Sequence, residues 1–431
     1  MENCSIIIPI YKRIDVLSLT LHALSLQNNK DFKVILVDQG NSIGIEKIHE
    51  IVGDRLEYEY VNLPIDVTVA EKRNKAIELT SSKHLIFIDS DIVVSKDFVN
   101  EHISTLEHGG DSVVGYIYGK STIDDKPYPP LPDLFESDRF SELIYEIGNG
   151  GHFYDEREEA FQSCNYNIMN LKAPWSLYWS GNISIRKEVL EETGGFDTGF
   201  CGWGGEDIEL GYRLIKGGFN ISLNKKAYGI HLHDHSRVTD RKNQYARNLR
   251  YFVGKYPRLE IELYSVFPVH WHLFVDYYKN ITPSNYASFE YEIRNTIKSL
   301  FHSNINILGY DELLVKLLIQ ITSIMDPRRL DYCETNIKKY ELSGLCTFFA
   351  ENFFDATIIT PLWVEYHHNH IHLLFEEMLR ISKYIHIIVP WWVDQNKKIT
   401  LLSALGKLGN KSVSNFKVDS YDKCKIVTVK K

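Results

Sequence analysis

The chain has 431 residues, 44% of them apolar and 24% charged, which suits a globular protein longer than one ordinary core can fill. A net charge of −9 excludes nucleic acid as the main partner, because phosphate backbones bind basic surfaces. Six scattered cysteines with no close pairs exclude a zinc signature and a secreted disulfide framework, so a reducing, cytoplasmic setting is expected.

The first hundred residues alternate between strand and helix patterns. "CSIIIPIY" reads as a buried strand, and Arg13 to Gln27 carries Ile14, Leu17, Leu21 and Leu24 at helical spacing. "FKVILVDQG" is a second strand closing on a turn, with a helix expected around Ile45 to Val52, and "LEYEYVNL" alternates as a third strand. In "TVAEKRNKAIELT", Thr68 stands three residues before Glu71, a capping box that starts a helix. The fourth strand, "HLIFI", ends abruptly in Asp89-Ser90-Asp91. Such alternation predicts a mostly parallel sheet flanked by helices, with ligands at the carboxyl ends of its strands.

Two aspartates two residues apart on a strand point the same way, and together they suit a hard divalent cation such as Mg²⁺ or Mn²⁺ bridging to phosphates. The plainer reading makes Asp91 or Ser95 a helix N-cap. Lys12, Arg13, Lys72, Arg73 and Asn74 bring positive charge and a polar amide to the same edge, as a diphosphate requires, although solvated helix charge explains each cation equally well.

From Gly119 to Gly151 the chain turns irregular, with four prolines between Pro127 and Pro132, and reads as a functional loop. "LYWSGNISIRKEVLEETGGFD" returns to strand, helix and glycine stop. "CGWGGEDIELGYRLIKGG" is a glycine-rich loop running into a helix. Its glycines suit close folding over a ligand, Trp203 suits stacking on a sugar or base, and Glu206 or Asp207 on the first turn suits a general base. Acidic residues also complement a helix dipole at that position without any catalytic role. "HLHDH" sets His231, His233 and His235 on one face of a strand, where one of them could complete an aspartate metal site. "YHHNHIH" (His367, His368, His370, His372) has no carboxylate or cysteine pattern beside it and is weaker as a second metal site.

The ordered blocks "SIIIPIYKR", "VILVDQGNS", "VAEKRNKAI", "HLIFIDSDIVV" and "WSGNISIRKEVLEETGGFDTGFCGWGGEDIELGYRL" resemble the nucleotide-sugar glycosyltransferases of family 2, with a galactosyltransferase or N-acetylgalactosaminyltransferase-type second half. The resemblance covers about residues 4–250. It implies an α/β GT-A fold, Rossmann-like with a mostly parallel sheet flanked by helices. It also implies an inverting, metal-dependent transfer of a hexose or N-acetylhexosamine from a UDP-sugar to a glycan or to a peptide hydroxyl or thiol. On this likeness Pro9 and Tyr11 line the base and ribose pocket, Asp38 contacts the uracil, and Lys72 and Asn74 border the nucleotide. Arg13, Asp89, Ser90, Trp203, Gly204 and Gly205 complete the donor contacts. Asp91 ligates Mn²⁺ or Mg²⁺ together with His231, His233 or His235. Asp207 is the implied base, and Glu206 positions sugar or acceptor.

A sugar nucleotidyltransferase would carry a glycine-rich basic loop after the first strand, and "IPIYKRIDVL" is not one. A non-catalytic nucleotide-sugar-binding module has no need of the Glu206-Asp207 pair. The expected division is a glycosyltransferase domain over 1–257 and an accessory domain over 258–431, helical to 350 and α/β-like from 351. That second part leaves open acceptor binding, homo-oligomerisation or a second activity. No segment reaches about 18 uninterrupted apolar residues, so no integral membrane segment is expected, and any membrane association would be peripheral.

Overall fold

The computed structural model describes residues 3–119, 154–232, 238–268, 277–280, 304–309, 321–327, 337–409, 415–420 and 424–431. The chain forms two compact units, Met1–Asn248 and Leu249–Lys431. The irregular stretch expected to be a functional loop lies almost wholly outside the described residues.

The first unit opens with β1 (Cys4–Ile10), α1 (Ile14–Ser25), β2 (Phe32–Gln39), α2 (Ile45–Val52), β3 (Tyr58–Leu63), α3 (Val69–Leu79), β4 (His84–Ile88), β5 (Ile92–Val94), α4 (Phe98–Glu107) and β6 (Ser112–Tyr118). It continues with α5 (Glu158–Ser163), β7 (Asn182–Arg186), α6 (Lys187–Thr193), α7 (Glu206–Lys216), β8 (Ile221–His231) and α8 (Val238–Lys255), which runs into the second unit. The sheet order is β3-β2-β1-β4-β7-β6-β8-β5. Strands β3, β2, β1 and β4 are mutually parallel, whereas β7 runs antiparallel between β4 and β6. The expected mostly parallel α/β sheet is therefore present, with apolar layers on both faces.

Local chemistry explains several of these elements. The Thr68 hydroxyl accepts from the Glu71 N–H while the Glu71 carboxylate accepts from the Thr68 N–H, the reciprocal cap that starts α3. Gly194, at φ 91°, ends α6 in the left-handed conformation that glycine adopts freely. Pro9 sits in a central strand without an N–H to donate. Pairing of β1 with β4 stops at Ile7 and Phe87, so that donor is not needed on the β4 side, and the two strands part toward their carboxyl ends.

The acidic motif departs from expectation. β4 ends at Ile88, and Asp89 to Asp91 form a turn in which the Ile92 N–H donates to the Asp89 carbonyl at 3.2 Å. The period-two argument for the two carboxylates therefore does not apply. The helix-cap alternative fails as well, because the N-cap of α4 is Asp97.

The second unit holds α9 (Leu259–Val266), β9 (Ile305–Leu308), β10 (Ile321–Met325), β11 (Lys338–Tyr340), β12 (Phe354–Ile359), α10 (Ile371–Ile381), β13 (Ser382–Pro390), α11 (Gln395–Gly409), β14 (Asn415–Ser420) and β15 (Cys424–Lys430). Of the residues described between 258 and 350, α9 is helical as expected, while β9, β10 and β11 are short strands. These short strands belong to a sheet ordered β11-β10-β9-β12-β13-β15-β14. The first five run parallel, and β15 lies antiparallel between β13 and β14. Among the described residues no helix is long and apolar enough to cross a membrane.

Candidate active site

The acidic turn after β4 is held by cations. The Asp91 carboxylate accepts from the Arg13 guanidinium at 3.2 Å, and Nε2 of His231 lies 3.7 Å away. β5 delivers that histidine: it pairs antiparallel with the end of β8, Ile92 against His231, and the Leu232 N–H donates to the Asp91 carbonyl. Of the three candidate histidines, His231 is thus brought to Asp91, while His233 and His235 lie outside the described residues. The Ser90 carbonyl accepts from the Thr20 hydroxyl at 3.1 Å, which fixes the turn on α1.

Arg73 links this turn to the second acidic pair. Its guanidinium, almost wholly buried, donates to Glu206 at 2.7 Å and to Asp89 at 3.4 Å, and lies over the Phe196 ring. Burial and the adjacent Asp207 charge push the Glu206 carboxyl up, against the pull of Arg73. Asp207 is half-buried at the start of α7. One of its oxygens accepts from both the backbone N–H and the hydroxyl of Ser180, at 2.9 and 3.0 Å. Arg73 is legible beforehand only as charge and Ser180 not at all, since their partners are 133 and 27 positions away.

The loop before α7 needs its glycines. Gly202, Gly204 and Gly205 have φ of +80°, +90° and +97°, and a Cβ on Gly204 would meet the Tyr245 ring at 2.8 Å. The α8 helix braces this loop. The Asn248 amide donates to the carbonyls of Trp203 and Gly204 and accepts from the Cys201 N–H, while Gln244 accepts from the Trp203 N–H. The Trp203 indole remains 44% exposed, flanked by Tyr245 and the Arg241 guanidinium. That leaves an aromatic face available for stacking.

The residues expected at the nucleotide divide into two groups. Pro9 and Tyr11 are half-buried at the carboxyl end of β1, where Lys12 and Arg13 both adopt left-handed backbone at φ 58° and 60°. Lys72 is buried and donates to the side-chain amide oxygen of Gln39 at 3.1 Å. Burial, aided by the Arg73 charge, lowers its pKa to about 8. Asp38 and Asn74 are each hydrogen-bonded to neighbouring protein groups. Asp38 is fully buried and accepts from Ser42, the Ile43 and Gly44 N–H groups and Tyr60. Burial alone would raise its pKa, but these donors hold it below the usual carboxylate range. These contacts tie the Asp38 carboxylate into the turn after β2. Asn74 exchanges two hydrogen bonds with the Phe196 backbone, so its amide clamps the chain after α6.

Asp91 and His231, one carboxylate and one imidazole, are donors that would suit a divalent cation such as Mn²⁺ or Mg²⁺. Among the described residues no cluster of three metal-ligating side chains is assembled.

Residues 5–194 match the family described as Glycosyl transferase family 2, and residues 162–236 match the N-terminal domain of galactosyltransferase. The family resemblance thus stands over the first unit, and both matches end before Leu249. Validoxylamine A glucosyltransferase of Streptomyces hygroscopicus subsp. jinggangensis is 31% identical over 268 residues, covering 60% of this chain and 62% of that protein. Chondroitin synthase of Escherichia coli is 28% identical over 228 residues, covering 51% of this chain and 33% of that protein. The chain therefore spans less than two thirds of either relative's length. A mannosyltransferase from Pyrobaculum calidifontis, solved in complex with GDP-Man and Mn²⁺, is 12% identical with a TM-score of 0.42, covering 69% of this chain and 81% of that chain.

Proposed function

We propose that the chain is an inverting glycosyltransferase that moves a hexose or N-acetylhexosamine from a UDP-sugar to an acceptor hydroxyl or thiol on a glycan or peptide. The observation that carries this reading is the Arg73 bridge: one buried guanidinium holds Asp89 of the acidic turn and Glu206 of the glycine-loop helix together. Groups suited to a diphosphate and a group suited to proton removal therefore share one locality. The family matches over residues 5–236 and relatives named as a glucosyltransferase and a chondroitin synthase support the same reaction class.

Asp91 and His231 would hold the divalent cation, which when bound supplies charge neutralisation for the departing nucleoside diphosphate. Lys72, still mostly protonated at neutral pH with its pKa near 8, adds positive charge on the same side. Ser180 donates to one oxygen of Asp207 and the Ile208 N–H to the other, and together they fix the orientation of the carboxylate that acts as base. Asp207 takes the acceptor proton as the acceptor oxygen or sulfur bonds to the anomeric carbon and the bond to the diphosphate breaks. Trp203 offers a stacking face to sugar or acceptor.

The test is UDP release from a panel of UDP-sugars with Mn²⁺, with and without EDTA, for wild type and Asp207→Asn. One donor should be hydrolysed slowly, and EDTA should abolish the reaction. Asp207→Asn should bind that donor with unchanged affinity and lose about 100-fold or more in turnover. Failure of every UDP-sugar to bind or react with any divalent metal would overturn the proposal.

A further inference from the structure

One stripe of α8 faces the glycine loop. Arg241, Gln244, Tyr245 and Asn248 recur at spacings of three and four, which places them on one side of the helix. Gln244 and Asn248 spend their side chains on the loop backbone, and Tyr245 packs against the Trp203 ring with centroids 5.6 Å apart. Arg241 differs from the other three. Its guanidinium lies 5.7 Å from the centre of the Trp203 ring, and among the described residues its N–H groups meet neither a carboxylate nor another acceptor. A guanidinium carries five donors in a planar fork, a shape that fits a carboxylate or phosphate in two parallel bonds.

The charge around that fork is one-sided. Residues 241–248 include Arg241, Lys242 and Arg247 and no acidic residue, in a chain whose net charge is −9. Arg247 donates to the Cys201 carbonyl at 2.8 Å, which keeps a second cation at the same loop. Glu206, at the other end of the loop, already has Arg73 as its partner. No carboxylate of the loop therefore calls for Arg241. Local positive charge of this kind attracts and orients an anionic partner.

The indole and the guanidinium together define what such a partner looks like. The exposed part of the Trp203 ring offers an electron-rich face to the C–H bonds of a sugar ring, and the fork beside it offers paired donors to an anionic substituent. A neutral sugar would use only the indole. The position favours the acceptor over the donor. Trp203 stands four places before Asp207, on the loop that leads to the base, whereas the charges assigned to the donor diphosphate are Lys72 and a cation at the turn after β4.

We propose that the acceptor is an acidic saccharide, with a sugar ring stacked on Trp203 and its carboxylate or phosphate held by Arg241. This inference rests on the glycosyltransferase reading of the same site and names the class of acceptor for it.

The test is UDP release above the acceptor-free rate, with Mn²⁺ and the UDP-sugar that the protein hydrolyses, across matched neutral, uronate-bearing and phosphate-bearing oligosaccharides. One acidic set should give kcat/KM at least about tenfold above its neutral parents, and the two acidic arms identify which anion the fork holds. Raising the salt concentration should shrink that preference. Arg241→Gln should raise KM for the acidic acceptor about ten- to hundredfold, to the level of the neutral parent, as loss of a hydrogen bond to a charged group does. Arg241→Lys keeps the charge without the fork and should recover only part of the loss. The wild-type comparison needs no variant and stands if Arg241→Gln does not fold. Equal use of neutral and acidic saccharides, no stimulation by any acidic one, or a rise in the UDP-sugar KM of Arg241→Gln in place of the acceptor KM would each overturn the inference. Absence of any UDP-sugar hydrolysis would overturn the glycosyltransferase reading with it, whereas hydrolysis without an acidic preference overturns this inference alone.

Discussion

Arg73 is the side chain whose removal should be felt most widely. Truncating it to methionine leaves the buried Glu206 carboxylate without its cation, and losing one partner of a buried ion pair costs about 3–5 kcal/mol. Arg73→Met should therefore lower the denaturation midpoint sharply. Adding Glu206→Gln should recover part of that loss, because the second change removes the uncompensated charge; strict additivity in a denaturant double-mutant cycle would refute the coupling. His102 provides a pH signature. It is fully buried between Ser184 and Asn182, and burial lowers its pKa to about 4. The unfolded chain then binds the extra proton between roughly pH 6.5 and pH 4, so stability falls as pH drops through that window, by roughly 3 kcal/mol at its foot. Thermal melts from pH 7 to pH 4 should show this slope, and His102→Gln should flatten it. The acidic pairs were legible in the sequence because a carboxylate cluster ending an apolar run is a local signal. The commitments of Asp38 and Asn74 were not, since each is decided by which backbone N–H groups and carbonyls the fold brings close.

Among the elements, the glycine loop before α7 is the most constrained. Alanine at Gly204 would carry its Cβ into the Tyr245 ring at 2.8 Å on a backbone at φ +90°. Gly204→Ala is expected to cost about 1–2 kcal/mol from conformation alone, with more from the contact. UDP-sugar hydrolysis should fall more than thermal stability does, because the loop positions Glu206 and Asp207; unchanged turnover would show that the loop geometry is dispensable. The loop and the helix it enters could be read directly, since glycines around a tryptophan followed by an acidic turn are a contiguous pattern. Its brace on α8 could not, because Gln244, Tyr245 and Asn248 carry no mark of their target. Strand length decided the remaining elements. Runs of five to eight β-branched and apolar residues in β1, β2 and β4 were evident. β5 and β11, at three residues each, and β9, at four, are too short to stand out from helical texture.

At the level of the whole molecule, two units with separate sheets and cores should unfold as separable transitions. Scanning calorimetry of the full chain with UDP and Mn²⁺ should raise the transition of Met1–Asn248 and leave the other in place, since a ligand stabilises only what it binds. A shift of both by the same amount would mean that the units unfold as one. The order of the second sheet also bears on synthesis. β15, formed by Cys424–Lys430, is inserted between β13 and β14, so neither has its final neighbour until that segment is available. The described strands of the first unit lie within residues 4–231, so its sheet can close early. During translation, at roughly 5–20 residues per second, the second unit must wait with an open β13 edge and an unpaired β14 until β15 leaves the ribosome. A ribosome stalled before Cys424 would therefore display a finished first unit joined to a second whose exposed edge invites chaperones or aggregation.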